Sequence, residues 1–230
     1  MRARAERDPG ETAVDIRLAE TDLVGDLVVP GDALGVILFA HGSGSGRRSP
    51  RNRSVASRLH AAGLATLLFD LLTPDEEGDR SNVFDISLLG RRLVETTRWI
   101  RGQPGVARLP VGYFGASTGG AAALAAAAEL RSDVGAIVSR GGRPDLAGPL
   151  LSLVVSPTLL IVGGNDPTVL RLNREAQLRL RCEQRLEVVP GATHLFEEPG
   201  ALEDVTSLAV AWFTAHLAGD ETAHPGVRTR

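Results

Sequence analysis

The chain has 230 residues, 43% of them hydrophobic and 23% charged, enough apolar material for one large core or two small ones. Its formal net charge of -3, with 25 basic residues that are all arginine, gives no electrostatic reason to expect nucleic acid as a partner. The single cysteine, Cys182, excludes an internal disulfide and a cysteine-based zinc site, and its isolation fits a reducing, cytoplasmic setting.

The opening Met1-Arg2-Ala3-Arg4-Ala5-Glu6 has no apolar stretch behind it, so it does not read as a secretory signal. No segment reaches the roughly 18 apolar residues of a membrane span; Leu208–Leu217 is far too short. Residues 1–10 and 219–230 read as frayed tails. The absence of a linker, repeat or low-complexity block between them predicts a single domain over 11–218.

Alternating Val14–Leu18 and the run Leu23–Val29 predict an antiparallel hairpin, with Pro30-Gly31-Asp32 closing it. From there the pattern changes. Val36–Ala40, Ala65–Phe69, Val111–Phe114, Val134–Val138 and Thr158–Val162 are continuous apolar runs, as strands covered on both faces are. A last strand is predicted over Arg185–Val189. Helices are predicted over Asn52–Ala62, Val83–Arg101, Gly119–Leu130, Val169–Arg181 and Ala201–Leu217. This alternation implies right-handed crossovers and a doubly wound, mostly parallel α/β sheet, whose ligands bind at the carboxyl ends of the strands.

Chemistry concentrates at those strand ends. Gly115-Ala116-Ser117-Thr118-Gly119 joins an apolar run to an alanine-rich helix, the Gly-x-Ser-x-Gly pattern of a nucleophile elbow. A hydroxyl nucleophile needs a base, and the base needs an orienting group. Asp166 follows the run Thr158–Val162, and His194 follows the last strand. Read structurally, Asp166 before Pro167 is a helix cap and His194 a plain loop histidine; their joint placement favours a triad of Ser117, Asp166 and His194. His60, His216 and His224 sit on helices or in a tail, and His41 is read as a brace for its loop.

Acyl transfer also needs preorganised amides for the oxyanion. The amide of Thr118 is the first candidate. Ser43, in the loop His41-Gly42-Ser43-Gly44, is the second, with Gly44 behind it. That loop fits neither a Walker A nor a Gly-x-Gly-x-x-Gly phosphate cradle.

Taken together, Ala40-His41-Gly42, Phe114–Gly120, Val162–Asp166 and Gly191–His194 resemble the α/β-hydrolase superfamily, more narrowly its dienelactone-hydrolase-like branch. The resemblance covers roughly Val14–Leu217 and implies ester or lactone hydrolysis through an acyl-enzyme, with no cofactor or metal. True dienelactone hydrolases carry a cysteine at the elbow, whereas this chain has Ser117. Cys182 lies beyond a predicted helix and does not substitute for it. The fold and the triad logic are therefore carried over, and dienelactone as substrate is not.

Only Arg140–Ser156 separates two strands where related proteins insert a lid, so a shallow site for small or extended acyl groups is expected. Arg140 and Arg143 are candidate ligands for a substrate carboxylate, although pairing of Arg143 with Asp145 is the simpler reading. Leu71, Leu72 and Phe84 are candidates for an apolar wall. Arg47, Arg48, Arg51 and Arg53 form a basic cluster that the acidic stretch Asp75–Asp79 is expected to neutralise. The expected partner is a small-molecule ester or lactone. Two other readings stay open: an acyltransferase, and a hydrolase-fold protein that binds a ligand or partner without useful turnover.

Overall fold

A computed structural model describes residues 10–218; apart from Gly10, the expected tails lie outside the described residues. The N-terminal hairpin pairs β1 (Thr12–Arg17) with β2 (Asp22–Val28), in a register that sets Ile16 opposite Leu23. Its turn falls at 18–21, where the Leu18 amide donates to the Thr21 carbonyl at 3.0 Å. Pro30-Gly31-Asp32 instead ends β2.

The apolar runs form β3 (Val36–Ala40), β4 (Ala65–Phe69), β5 (Val111–Ala116), β6 (Val134–Arg140), β7 (Thr158–Gly163) and β8 (Gln184–Val189). The eight strands lie in the order β1-β2-β4-β3-β5-β6-β7-β8, antiparallel through β2-β4 and parallel from there on. Every residue of β3, β4, β5 and β7 is buried, which is why these strands show no alternation.

Two apolar cores sandwich the sheet. On one face, Ile37 and Phe39 of β3 pack with α1 (Pro50–Ala61) and α7 (Ala201–Leu217). On the other, Leu38 and Tyr113 pack with α4 (Ile86–Ile100) and α5 (Thr118–Leu130). The small side chains of α5 let it lie close to the sheet and to α4, where a Cβ built on Gly90 would sit 3.4 Å from that of Ala125. A further helix, α6 (Pro167–Gln177), follows β7.

The expected helix over Val83–Arg101 and the acidic stretch before it resolve into α2 (Pro74–Glu77), α3 (Arg80–Phe84) and α4. Three caps cause the division. Thr73 and Glu76 form a reciprocal capping box, Asp79 accepts from the Ser81 amide, and Asp85 accepts from the Leu88 amide. Asp85, at φ -76° and ψ 91°, cannot continue a helix through itself. Between β6 and β7 the chain makes only 3-10 turns over Pro144–Leu153, bent at Gly148, rather than a large lid. Among the described residues, no helix is long and apolar enough to cross a membrane.

Candidate active site

Ser117 sits between β5 and α5 with φ 52° and ψ -119°. A non-glycine residue in this region costs on the order of 1–3 kcal/mol and persists only where its surroundings force it. Here three backbone bonds force it: the Ser117 amide donates to the Arg140 carbonyl at 3.2 Å, and its carbonyl accepts from Gly120 and Arg143 at 3.0 and 3.1 Å. The flanking glycines make the turn sterically feasible. A Cβ on Gly115 would lie 2.6 Å from the Gly119 carbonyl oxygen, and one on Gly119 would run into the Ala40 and His41 carbonyls.

Asp166 and His194 meet because the loops after β7 and β8 are stitched together. The Asn165 amide donates to the Ala192 carbonyl at 2.9 Å, and its side chain donates to the Gly191 carbonyl at 2.8 Å. A Cβ at Gly163 would clash with the Ala192 and Thr193 carbonyls, so glycine is what lets the loops approach. His194 Nδ1 then lies 2.8 Å from Asp166 Oδ2, while Asp166 Oδ1 accepts from the Val169 amide and caps α6. One carboxylate thus both caps α6 and bonds the His194 imidazole. His194 also sits against the elbow's neighbour: a Cβ on Gly141 would be 3.5 Å from His194 Cε1.

The loop after β3 closes on the elbow from the other side. A Cβ on Gly42 would be 3.0 Å from Ser117 Cβ. The Ser43 amide donates to Thr118 Oγ1 at 3.0 Å. Thr118 is the first residue of α5, so its own amide has no partner within the helix.

His41 holds this loop to the one after β4. Its Nε2 accepts from the Leu71 amide at 3.0 Å, which leaves the proton on Nδ1, 3.1 Å from the Gly42 carbonyl oxygen. Burial pushes its pKa below the usual histidine value, outweighing the Gly42 bond and the charges of Asp70 and Glu77.

A cleft of about 900 Å³ opens beside Thr118 and Ser43. Leu72, Val83 and Leu89 supply apolar lining, and Pro74 and Glu77 of α2 also face it. The other residues read as a possible wall lie elsewhere: Leu71 in the core and Phe84 51% exposed.

The basic cluster is neutralised differently from the expectation. Arg47 pairs with Asp70 and Asp26, Arg51 with Glu197, and Arg53 with Glu11 and Asp26. Glu76, from the acidic stretch, pairs instead with Arg92.

Arg143 forms a bidentate pair with Asp145, at 2.8 and 2.7 Å. Arg140 is 7% exposed, with its guanidinium over the Phe196 ring of the His194 loop, and is not itself among the residues that line the cleft. The cause is strand alternation: Ser139 faces the α5 side, so Arg140 faces α1. Two supporting residues escaped the sequence reading. Asn165 was legible as a Gly-Gly-Asn turn residue, but the buried Asn173, which donates to the Gly142 carbonyl at 3.0 Å, carries no local signal.

The strand order, the left-handed serine at the β5–α5 turn, and an Asp–His pair at the same sheet edge define an α/β hydrolase. No protein-family profile matches the chain. A dienelactone hydrolase from Anabaena variabilis matches at 55% identity and TM-score 0.88, covering 92% of this chain and 100% of that one. The chain belongs to the dienelactone hydrolase family.

Est1E from Butyrivibrio proteoclasticus shares the fold at TM-score 0.76 and 16% identity, over 90% of this chain and 99% of that one. A Mycobacterium tuberculosis protein of strain H37Rv, provisionally named a phosphoribosyl transferase, is 60% identical over 206 residues, or 90% of this chain and 46% of its own length. The chain thus spans about half the length of the curated relatives it matches.

Proposed function

We propose that this chain is a serine hydrolase of small carboxylesters or lactones, working through an acyl-enzyme. The observation that carries the proposal is the 2.8 Å bond between His194 Nδ1 and Asp166 Oδ2. With Nδ1–H donating to the carboxylate, Nε2 remains an acceptor, the tautomer a general base requires. His194 packs against Gly141, whose preceding residue receives the Ser117 amide, so base and nucleophile share one strand end.

In the proposed cycle, His194 takes the Ser117 hydroxyl proton as the oxygen attacks the carbonyl. Asp166 stabilises the resulting imidazolium. The Thr118 and Ser43 amides receive the oxyanion, the latter exchanging the Thr118 hydroxyl for a charged acceptor, which binds an N–H more strongly. His194 then protonates the leaving alcohol. Water, deprotonated by His194, releases the acid. No step calls on a cofactor. The domain over 11–218 is proposed to act as one unit on a small-molecule substrate seated in the cleft.

The cleft volume lies in the range of small-molecule sites, and its mixed apolar and charged walls suit a polar ester. The experiment is turnover of p-nitrophenyl acetate by the wild type and Ser117→Ala, with folding checked by circular dichroism. Loss of turnover in a folded variant supports the proposal, and retained turnover refutes it. Product analysis with added alcohols separates hydrolysis from acyl transfer.

A further inference from the structure

Arg140 is a charge without an evident reason to be buried. Its side chain is 7% exposed, its Nε has no hydrogen-bond partner among the described residues, and Nη2 reaches Asn52 Oδ1 only at 3.5 Å. Arg51, the nearby charge that affects it, has the same sign. Burial, with Arg51 second, lowers its pKa to about 10, so the guanidinium stays charged at neutral pH. A buried cation of this kind is destabilising unless its surroundings use it.

What it meets is Phe196. The guanidinium carbon lies 5.8 Å from the centroid of that ring, within the range of a cation–π contact. Phe196 is 1% exposed and holds φ 55°, a left-handed conformation that bulky residues rarely adopt. It stands two residues after His194, in a turn closed by its amide on the Thr193 carbonyl at 3.3 Å. The next residue, Glu197, is gripped from α1 by Arg51 at 2.7 Å. The His194 turn is therefore held at both residues that follow Leu195, once through a ring and once through an ion pair. Arg140 also receives the Ser117 amide on its own carbonyl, so one residue touches the elbow through its backbone and the histidine loop through its side chain.

We propose that Arg140 is a positioning residue: its guanidinium, set over the Phe196 ring, pins the left-handed turn that aims the His194 ring at Asp166. The same contact couples the end of β6, which fixes Ser117, to the loop after β8. This rests on the reading of His194 as the base, but its primary test does not depend on Ser117 chemistry.

The test is the downfield proton NMR signal of the His194–Asp166 hydrogen bond, assigned by its loss in His194→Ala. Arg140→Met keeps side-chain length and removes the charge, and Arg140→Lys restores a cation. In Arg140→Met the signal should broaden or disappear while the fold persists, and kcat for p-nitrophenyl acetate should fall about tenfold with KM within twofold. Arg140→Lys should recover the signal and most of kcat.

Should Arg140→Met fail to fold, Phe196→Leu carries the test, since it keeps apolar bulk and deletes the ring face; it should lose the same signal. Where all variants fold, the double variant should be no worse than either single one. An unchanged signal in Arg140→Met, or in Phe196→Leu where that variant stands in, would overturn the proposal. Equal damage from the Lys and Met replacements would do so too. A wild type inert toward esters that still shows Arg140-dependent loss of the signal would refute the hydrolase reading and leave this one standing.

Discussion

The Ser43 amide donates to the Thr118 hydroxyl at 3.0 Å, so the two residues proposed to bind the oxyanion are already joined to each other. The hydroxyl sets where the Ser43 N–H points before substrate arrives. Thr118→Val keeps the shape and deletes the acceptor. It should lower kcat for p-nitrophenyl acetate about tenfold, or ~1.4 kcal/mol in the barrier, and Thr118→Ser should retain most activity. A faster Thr118→Val enzyme would mean that the cost of exchanging the hydroxyl for the oxyanion outweighs its positioning of the donor.

Asp166 divides its two oxygens between His194 Nδ1 and the Val169 amide. Asp166→Asn preserves an oxygen for the cap but cannot hold the required imidazole tautomer, so kcat should fall about 10⁴-fold with little change in melting temperature. Asp166→Ala should lose the same activity and, in addition, about 1 kcal/mol of stability from the cap. Steady-state kinetics and thermal melts on both variants separate the two jobs.

Gly119 has no room for a side chain. A Cβ there would come within 2.6 Å of the Ala40 carbonyl carbon and the His41 carbonyl oxygen, both backbone atoms with little freedom to move. Gly119→Ala should cost about 3 kcal/mol or more, roughly a 10 °C loss in melting temperature for a chain of this size. A melt within a few degrees of wild type would show that the elbow is looser than its contacts imply.

His41 makes stability depend on pH. Its folded pKa is lowered by burial, so the unfolded chain binds this proton more readily than the native one. The stability linked to neutral His41 is therefore present above about pH 6.5, the unfolded value, and is lost as the pH falls toward the folded value. Protonation would also remove the acceptor for the Leu71 amide. Urea titrations from pH 7.5 to 5 should show a steeper fall in unfolding free energy for the wild type than for His41→Gln. Parallel curves would assign the acid sensitivity to other groups.

Much of this arrangement was legible in the sequence, for physical reasons. Strands buried on both faces, such as Val36–Ala40 and Thr158–Gly163, announce themselves as unbroken apolar runs, and an α/β sheet directs attention to the residues that follow them. Ser117, Asp166 and His194 were legible on that basis. The contacts of Arg140 were not, because strand alternation turned it toward α1, where Phe196 arrives from 56 positions away in the chain. Ion pairs such as Arg51–Glu197 are equally long-range, so proximity in sequence misdirected the acidic stretch toward the basic cluster. The division into α2, α3 and α4 was local and readable: Thr73, Asp79 and Asp85 are each strong cap residues.

The central claim is that Ser117 is the nucleophile. Its most direct measurement is peptide mapping by mass spectrometry after treatment with a fluorophosphonate. A nucleophilic Ser117 should yield a single phosphonyl adduct on that residue, formed slowly or not at all in His194→Ala. An unmodified Ser117 under conditions that label a known serine esterase, or an adduct on another residue, would contradict it.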